Sequence, residues 1–460
     1  MRREPIPPHA RKAAGAGFIG TFIEYYDYGL YGVLTVYLAP LFFPADDPAV
    51  SLLVGLAVFG AGFVARPLGG ILIGRLGDRR GRRAALLTSV LLMGACTGLI
   101  GLLPTYATAG VVAPILLVAL RLGQGVSAGA ELLGSVSYVL ESAPQSRRAL
   151  LASLTPLGNT LGAGTGALTA AVISFTVSRE AMLSYGWRVP FLVAVPLAVL
   201  AFVIRRRIED SPEFLALVER KQIAKSPVRD AIVTHRRALV VACVLALGLN
   251  GIAAVAGWLV TYLAGTRGLP AGQIILLFSI SMLVVATLVP VSGRLTDRFG
   301  MQRMIVASTV AVLVLMLPLL WLLGTAVSPW LLVVGMVGYL GLLSLLTTPG
   351  YMYLAELFPT RVRFTAANFG QNVGVVVAGG VGPFALAGLV LLTGSSLGPA
   401  VWIGGGGALV LVALALAPRI LGDGRRTDVA GSAGPQRRGR DPERFCESER
   451  LHGSGSGSSA

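Results

Sequence analysis

Only 13% of the 460 residues are charged, where soluble domains carry about a quarter. Acidic residues are scarcest, 22 Asp and Glu against 38 Lys and Arg. The three cysteines, Cys96, Cys243 and Cys446, are too few and too scattered for a disulfide framework or a metal site. The three histidines, His9, His235 and His452, all fall outside the hydrophobic stretches, so no Ser/His pair or metal-ligand cluster is expected at bilayer depth. No Walker sequence is present, which argues against ATP drive, and no cofactor is expected. The basic, Pro-rich start runs straight into a long apolar stretch and does not read as a cleavable leader. These shortages exclude a soluble enzyme, a secreted disulfide scaffold and a metalloprotein. What fills the chain instead is 54% hydrophobic residues, 59 glycines and a mean hydropathy of +0.75.

Such a composition belongs in a bilayer, where one helical span takes roughly 20 apolar residues. Charged and Pro/Gly-rich punctuation predicts twelve spans, at 16–40, 52–74, 84–103, 112–138, 150–175, 189–205, 238–264, 272–293, 303–324, 330–354, 365–392 and 399–418. Arg179, Arg188 and Arg267 fall in odd-numbered connections, and Arg66 and Arg121 within spans. Every other Lys and Arg lies in the N-terminal segment, an even-numbered connection or the C-terminal tail. Positive residues are retained on the cytoplasmic side, so both termini are expected there, in the inner membrane. The same bias accounts for the net charge of +16 through anionic lipid, without nucleic acid.

The chain repeats itself. Gly74-Arg-Leu-Gly-Asp78-Arg-Arg-Gly-Arg-Arg83 recurs as Gly293-Arg-Leu-Thr-Asp297-Arg-Phe-Gly-Met-Gln-Arg303, and Glu141-Ser-Ala-Pro-Gln-Ser-Arg-Arg148 as Glu356-Leu-Phe-Pro-Thr-Arg-Val-Arg363. Two motifs agreeing on one duplication predict an all-α membrane protein of two six-helix repeats, 16–205 and 238–418. A rocking transporter with its substrate site between the halves has this organisation. An N-terminal segment, 1–15, precedes them and a basic connection, 206–237, joins them; Asp210-Ser-Pro-Glu213 within it reads as the start of an interfacial helix. Residues 419–460 read as a disordered tail, with 451–460 a linker scar.

The loop motif at 74–83, with its degenerate copy at 293–303, resembles the signature of the major facilitator superfamily. Further motifs, in order, are similar to its metabolite:H⁺ symporter family: Glu24-Tyr-Tyr-Asp27-Tyr28, Arg66-Pro-Leu-Gly-Gly70, Arg121-Leu-Gly-Gln124, Gly186-Trp-Arg-Val-Pro190, Glu209-Asp-Ser-Pro-Glu213 and Ala355-Glu-Leu-Phe-Pro359. The resemblance covers 14–418 and implies proton-driven uptake of a small polar metabolite; known members take dicarboxylates, tricarboxylates, shikimate, or proline and betaine. It also implies gating by Asp78, Arg79, Arg82 and Arg83 with Arg147 or Arg148, by Asp297 and Arg298 as weaker equivalents, and by Glu141, Glu356 and Arg361 in the charge network. Family members commonly carry Gly-Gly-Glu where this chain has Gly129-Ala-Glu131, and glutamines where it has Thr155-Pro156, so the ligand is open. The coiled-coil tail of the osmolyte-carrying branch is missing from 421–450.

An ionisable group deep in a span is costly enough to be a functional candidate. Glu24 and Asp27 are three apart, on one face of span 1, and one of them is expected to carry the proton, the alternative being a fixed ion pair with an arginine of span 4. Arg121 heads a polar stripe with Gln124 and Glu131. Its planar fork suits a substrate carboxylate or one of the acids, and exchange between them would couple substrate to proton, with Glu131 a further coupling acid. Arg66 is expected to snorkel or pair with the loop below. Tyr28, Tyr31, Asn159, Asn250, Trp258, Tyr351, Gln371 and Asn372 are candidate substrate contacts, with Tyr25 and Tyr262 beside them. Glycines spaced by about four at 158–166 and 370–380 read as close-packing faces. A monomer suffices for this architecture. The competing readings are a proton antiporter exporting an amphiphile and a membrane-embedded enzyme.

Overall fold

The computed structural model describes residues 5–267, 270–325, 328–395 and 397–432. Met1–Ala417 forms one compact unit and Pro418–Ala460 a second. Among the described residues the first is all helical, with twelve long helices in chain order: α1 Pro8–Phe42, α2 Pro48–Arg80, α3 Arg82–Leu102, α4 Val112–Ser142, α5 Arg148–Ala152 with Leu154–Thr176, α6 Arg188–Arg206, α7 Arg236–Arg267, α8 Ala271–Ala286 with Leu288–Phe299, α9 Met301–Thr325, α10 Pro329–Glu356, α11 Thr360–Thr393 and α12, which begins at Pro399. Ten are long and apolar enough to cross a membrane. The exceptions, α1 and α5, carry Glu24 and Asp27 and a run of glycine and threonine respectively, and they pack on each other.

The expected spans are present, but several helices run further than their apolar stretches. α1 starts at Pro8 rather than 16, α2 continues to Arg80 and α4 to Ser142. These extra turns lie beyond the apolar core and carry the charged motifs, which the sequence reading had placed in loops. The last helix runs to Ser432, so 419–432, expected as disordered tail, is helical; 433–460, including the expected scar, lies outside the described residues.

Two helices are broken for one reason. Pro156 and Pro290 have no N–H to return to the carbonyls of Ala152 and Ala286, and α5 and α8 are interrupted at Ser153 and Thr287, just after those carbonyls. Within the halves, glycines bring backbones together. A Cβ at Gly158, Gly162 or Gly166 of α5 would lie 2.3, 2.3 and 2.1 Å from the carbonyls of Phe18, Phe22 and Tyr26 of α1. Gly374 lies as close to the Ala246 backbone, holding α11 to α7.

Between the halves the main contacts are α2 against α11 and α5 against α8. Gly74 meets the backbone of Thr365, and its repeat equivalent Gly293 meets Ala149 and Ser153. Phe364 of α11 is fully buried in the first half with Ile73, Ala85, Ala130 and Tyr138, wedged between Gly77 and Gly134. The Gly74, Gly293 and Phe364 contacts lie toward the end of the bundle that carries the basic motifs, whereas Gly164 against Met282 and Gly272 against Phe175 continue the α5–α8 seam away from it. The connection between halves contains a short helix, Pro212–Glu219, capped by Ser211, whose Oγ accepts from the Phe214 amide at 3.3 Å.

Candidate functional site

A cavity of about 380 Å³ lies between the halves, lined by α1, α2 and α5 on one side and α7, α8, α10 and α11 on the other. Among its described lining residues Arg66 is the one charged side chain. Arg66 is 3% exposed, and its Nη2 donates to Glu24 Oε1 at 3.0 Å while its Nε donates to the Tyr28 hydroxyl at 3.2 Å. Its guanidinium lies over the Tyr28 and Phe63 rings, 4.6 and 5.2 Å from their centroids. Neither hydrogen bond uses Nη1, and Glu24 Oε2 is buried with no partner among the described residues. The acid is thus incompletely satisfied, in a place where unpaired polar atoms are costly. The expectation that Arg66 snorkels or pairs with the loop is corrected: Glu24, one turn above Gly20 on α1, neutralises it within the bundle.

A second pair lies off the cavity. Asp27 accepts from Arg121 Nη1 at 2.9 Å through Oδ2, and from Gln124 at 2.9 Å and Thr97 at 3.2 Å through Oδ1. Arg121 also donates to Gln124 at 2.7 Å and stacks 3.2 Å from the centre of the Tyr31 ring. Arg121, Gln124 and Tyr31 do not line the cavity, which corrects their expected substrate contacts. Their side chains are turned toward Asp27, and Arg121 pairs with it through Nη1, while its Nε and Nη2 are buried without hydrogen-bond partners among the described residues.

Glu131 is corrected too. It is bound within the first half by Arg205, Ser89 and Ser135, and Arg205 further donates to the carbonyls of Ala16 and Leu86. This network ties α1, α3, α4 and α6 together away from the cavity, and a Cβ at Gly20 would strike it. Arg205 had been counted with the connecting loop because Arg206 and Arg207 follow it.

Of the neutral candidates, Tyr28, Asn159, Asn250 and Tyr351 line the cavity, as does Tyr25. Gln371 stands behind Asn250, in reciprocal amide hydrogen bonds of 3.3 Å. Trp258 stacks on Tyr262, with centroids 4.6 Å apart, and does not line the cavity. Asn372 donates to the carbonyls of Gly129 and Asn368, joining α11 to α4. Burial in these contacts takes Trp258, Gln371 and Asn372 out of the cavity surface.

The basic end is closed by charge. Arg82 donates to Asp78 at 2.8 Å, to both oxygens of Glu141 at 3.0 Å and to the Thr360 carbonyl at 2.7 Å, between the rings of Phe214 and Phe364. Arg363 bonds Glu141 at 3.0 Å and Glu213 at 2.8 Å, and Arg148 reaches Glu356 at 2.8 Å. Asp78 accepts from the amides of Phe364 and Thr365 at 3.2 and 2.8 Å, and Asp297 from those of Ala149 and Leu150 at 2.7 and 3.0 Å. Arg148, the second of the two arginines named for this role, and Arg363 bridge the halves in place of Arg147 and Arg361, together with Arg82 on the Thr360 carbonyl. Arg147 is half-buried beside Arg148, and Arg361 is exposed, 3.5 Å from His235. Arg79 and Arg298 are exposed; Arg83 holds the Arg206 carbonyl at 2.7 Å, while its amide donates to Asp210. Sequence reasoning missed Arg66, Arg205, Ser211, whose Oγ donates to Glu141, and Glu213 as members of these networks. For the arginines the signal was there, a cation in or beside a span, and its depth was misjudged.

The sequence pattern that defines the Major Facilitator Superfamily matches residues 17–383. The chain belongs to the major facilitator superfamily. It is a multi-pass membrane transporter. Among curated members of the superfamily, the chain is 34% identical over 393 residues to the inner membrane metabolite transport protein YhjE of Escherichia coli K12, covering 84% of this chain and 89% of that one. It is 33% identical to the shikimate transporter of the same strain, covering 83% and 88%, and 31% identical to the proline/betaine transporter of Salmonella typhimurium LT2, covering 80% and 76%. The structure of the proton:xylose symporter XylE bound to 6-bromo-6-deoxy-D-glucose matches with a TM-score of 0.74 at 16% identity over 88% of this chain and 94% of that one. That likeness establishes the two-repeat superfamily fold.

Proposed function

We propose that this protein is a proton-coupled symporter, a metabolite:H⁺ symporter by subfamily, that carries a small carboxylate-bearing metabolite inward. The observation that carries this reading is the Arg66–Glu24 pair: one cation on the cavity wall, held by a buried acid with an oxygen to spare. A guanidinium fork binds carboxylates bidentately, so a substrate carboxylate competes with Glu24 for Arg66. Once displaced, Glu24 is an uncompensated charge at bilayer depth, a situation relieved by taking a proton. The empty site, Arg66 with Glu24, and the loaded site, Arg66 with substrate and protonated Glu24, are then both neutral. Neither Arg66 without an anion nor ionised Glu24 without a partner is stable there, which binds the movement of substrate and proton together. The relatives named for metabolite, shikimate and proline/betaine transport support a small polar cargo.

The charge bias supports a cytoplasmic position for the basic end and both termini, with the protein in the inner membrane. The latches at that end support reading this state as the outward-facing half of a rocking cycle. A single chain contains the whole cavity, so a monomer suffices. Export of an amphiphile by proton antiport draws support from the aliphatic part of the lining, Val285, Val289, Leu340 and Leu343. One assay separates the two: uptake of radiolabelled carboxylates into proteoliposomes with and without an inward proton gradient. Gradient-driven accumulation that disappears in Glu24→Gln supports symport. Accumulation indifferent to both the gradient and that substitution sinks it, and proton-driven extrusion of a larger amphiphile selects the antiporter.

A further inference from the structure

Phe59 of α2 has two neighbourhoods. On one side it lines the central cavity. On the other its ring lies parallel to that of Tyr31, with centroids 5.6 Å apart, and 5.9 Å from the Arg121 guanidinium carbon. Edge-on contacts with Phe63 at 5.3 Å and Tyr28 at 6.0 Å hold the ring in place. Arg121, Tyr31 and Asp27 are 2%, 0% and 0% exposed, and none of the three lines the cavity. Phe59 is the side chain that touches both the cavity and this buried group.

The group behind Phe59 is short of hydrogen-bond partners. Arg121 commits Nη1 to Asp27 and Gln124, which leaves the N–H of Nε and the two of Nη2. Neither nitrogen, nor the Tyr31 hydroxyl, has a partner among the described residues. A water is stable inside a protein where there is room for it and about two to four polar groups to hold it. The two nitrogens and the hydroxyl meet the second condition, and the ring of Phe59 occupies the room. Cutting that ring back to a methyl group would open space beside Tyr31 and Arg121 that is continuous with the cavity.

Such a path matters because the two acids of α1 are governed differently. In the symport reading, on which this contrast rests, Glu24 takes a proton when cargo displaces it from Arg66. Asp27 is held by Arg121 and Gln124 of α4 and by Thr97 of α3, where cargo does not compete. Water joining Asp27 to the cavity would let it exchange a proton with whichever side the cavity faces, loaded or empty. A carboxylate that gains a proton on one side and gives it up on the other carries one proton per empty cycle and no cargo. We infer that Phe59 is an insulating residue, which with Tyr31 closes the Arg121–Asp27 pair off from the cavity and so prevents proton leak through the empty carrier.

The test is the decay of an imposed proton gradient across proteoliposomes containing the full chain, with no cargo present, the membrane potential clamped and a pH-sensitive dye inside. Phe59→Ala is expected to speed the decay by about tenfold or more, the gain in hydrated population from satisfying one unpaired buried group, and Phe59→Val to speed it less. In an Asp27→Asn/Arg121→Gln background, which removes both charges together so that neither is left buried alone, Phe59→Ala is expected to decay at the wild-type rate. A bundle that had merely loosened would leak in both backgrounds. Should Phe59→Ala fail to fold, Phe59→Val carries the same comparison. Decay that stays at the wild-type rate in the Phe59 variants overturns the insulating role, and so does fast decay that persists once the pair is neutralised. Carboxylate uptake by the wild type keeps the two readings apart. Uptake indifferent to the proton gradient overturns the symport reading, whereas gradient-driven uptake with no added leak in the Phe59 variants overturns the insulating role alone.

Discussion

Asp78 and Asp297 do the same thing to opposite halves of the molecule. Asp78 belongs to the first half and holds the amides of Phe364 and Thr365 in the second; Asp297 belongs to the second and holds Ala149 and Leu150 in the first. The latches are unequal. Asp78 is 2% exposed and shares Arg82, whereas Asp297 is exposed and sits where the repeat has Met301 in place of Arg82. Hydrogen bonds to a charged group contribute roughly 1.5–3 kcal/mol when buried and less when exposed. Asp78→Asn should therefore shift the balance toward opening of the basic end by ~10-fold or more, and Asp297→Asn by only ~2–3-fold. Spin-label distances across the basic end measure this; equal shifts would contradict the ranking.

Removing the fork of Arg66 while keeping its charge should separate geometry from electrostatics. Arg66→Lys keeps a cation for Glu24 but cannot grip a carboxylate bidentately or stack as well on Tyr28 and Phe63. Transport is expected to keep its gradient dependence while KM rises ~10-fold or more. An unchanged KM would show that Arg66 is not the carboxylate contact.

The Glu131–Arg205 pair is fixed in place and should behave as a structural ion pair. Glu131→Gln leaves Arg205 buried without its counter-charge, and losing one partner of such a pair costs roughly 3–5 kcal/mol. The double variant Glu131→Leu/Arg205→Met should recover much of that loss, since apolar replacements of buried pairs are often neutral. Thermal unfolding in detergent reports both. Proton-coupled transport surviving in the double variant would confirm that Glu131 carries no proton.

Gly81 and Gly300 occupy equivalent places in the two repeats, with φ of +105° and +88°. At Gly300 a Cβ meets nothing within 4 Å, so Gly300→Ala should lose only the backbone preference, roughly 1–3 kcal/mol in a conformation essentially reserved for glycine. At Gly81 the Cβ would fall 2.4 Å from the Asp210 carboxylate, so Gly81→Ala should be markedly worse. Comparable unfolding temperatures for the two would refute this.

Much of the fold was legible because hydropathy and the positions of charge are strong signals in a membrane chain. Asp78 and Asp297 could be paired on the page because a duplication repeats its own spacing. What could not be read was the partner of each buried ion. Arg66 and Arg121 both offered themselves to Glu24 and Asp27, and three residues of helix separate the two acids by only a fraction of a turn. Which arginine faces the cavity is decided by how α2 and α4 are rotated. That rotation is set by backbone contacts such as Gly129 against the Arg66 carbonyl, where a Cβ would lie 1.9 Å away, and no hydropathy pattern encodes it. Arg148 and Arg363 were confused with Arg147 and Arg361 for a similar reason, since one residue of register at a helix start changes which side chain points inward.

The glycine seam between α1 and α5 has a mechanical consequence. Two helices touching through bare backbone have no side chains to re-pack and hence no alternative registry to slip into. Glu24, Tyr25 and Tyr28 on one and Asn159 on the other are therefore mounted on a single stiff plate. Whatever motion carries cargo across the membrane has to swing that plate whole, so the distances among these four groups on one side of the bilayer are the distances on the other.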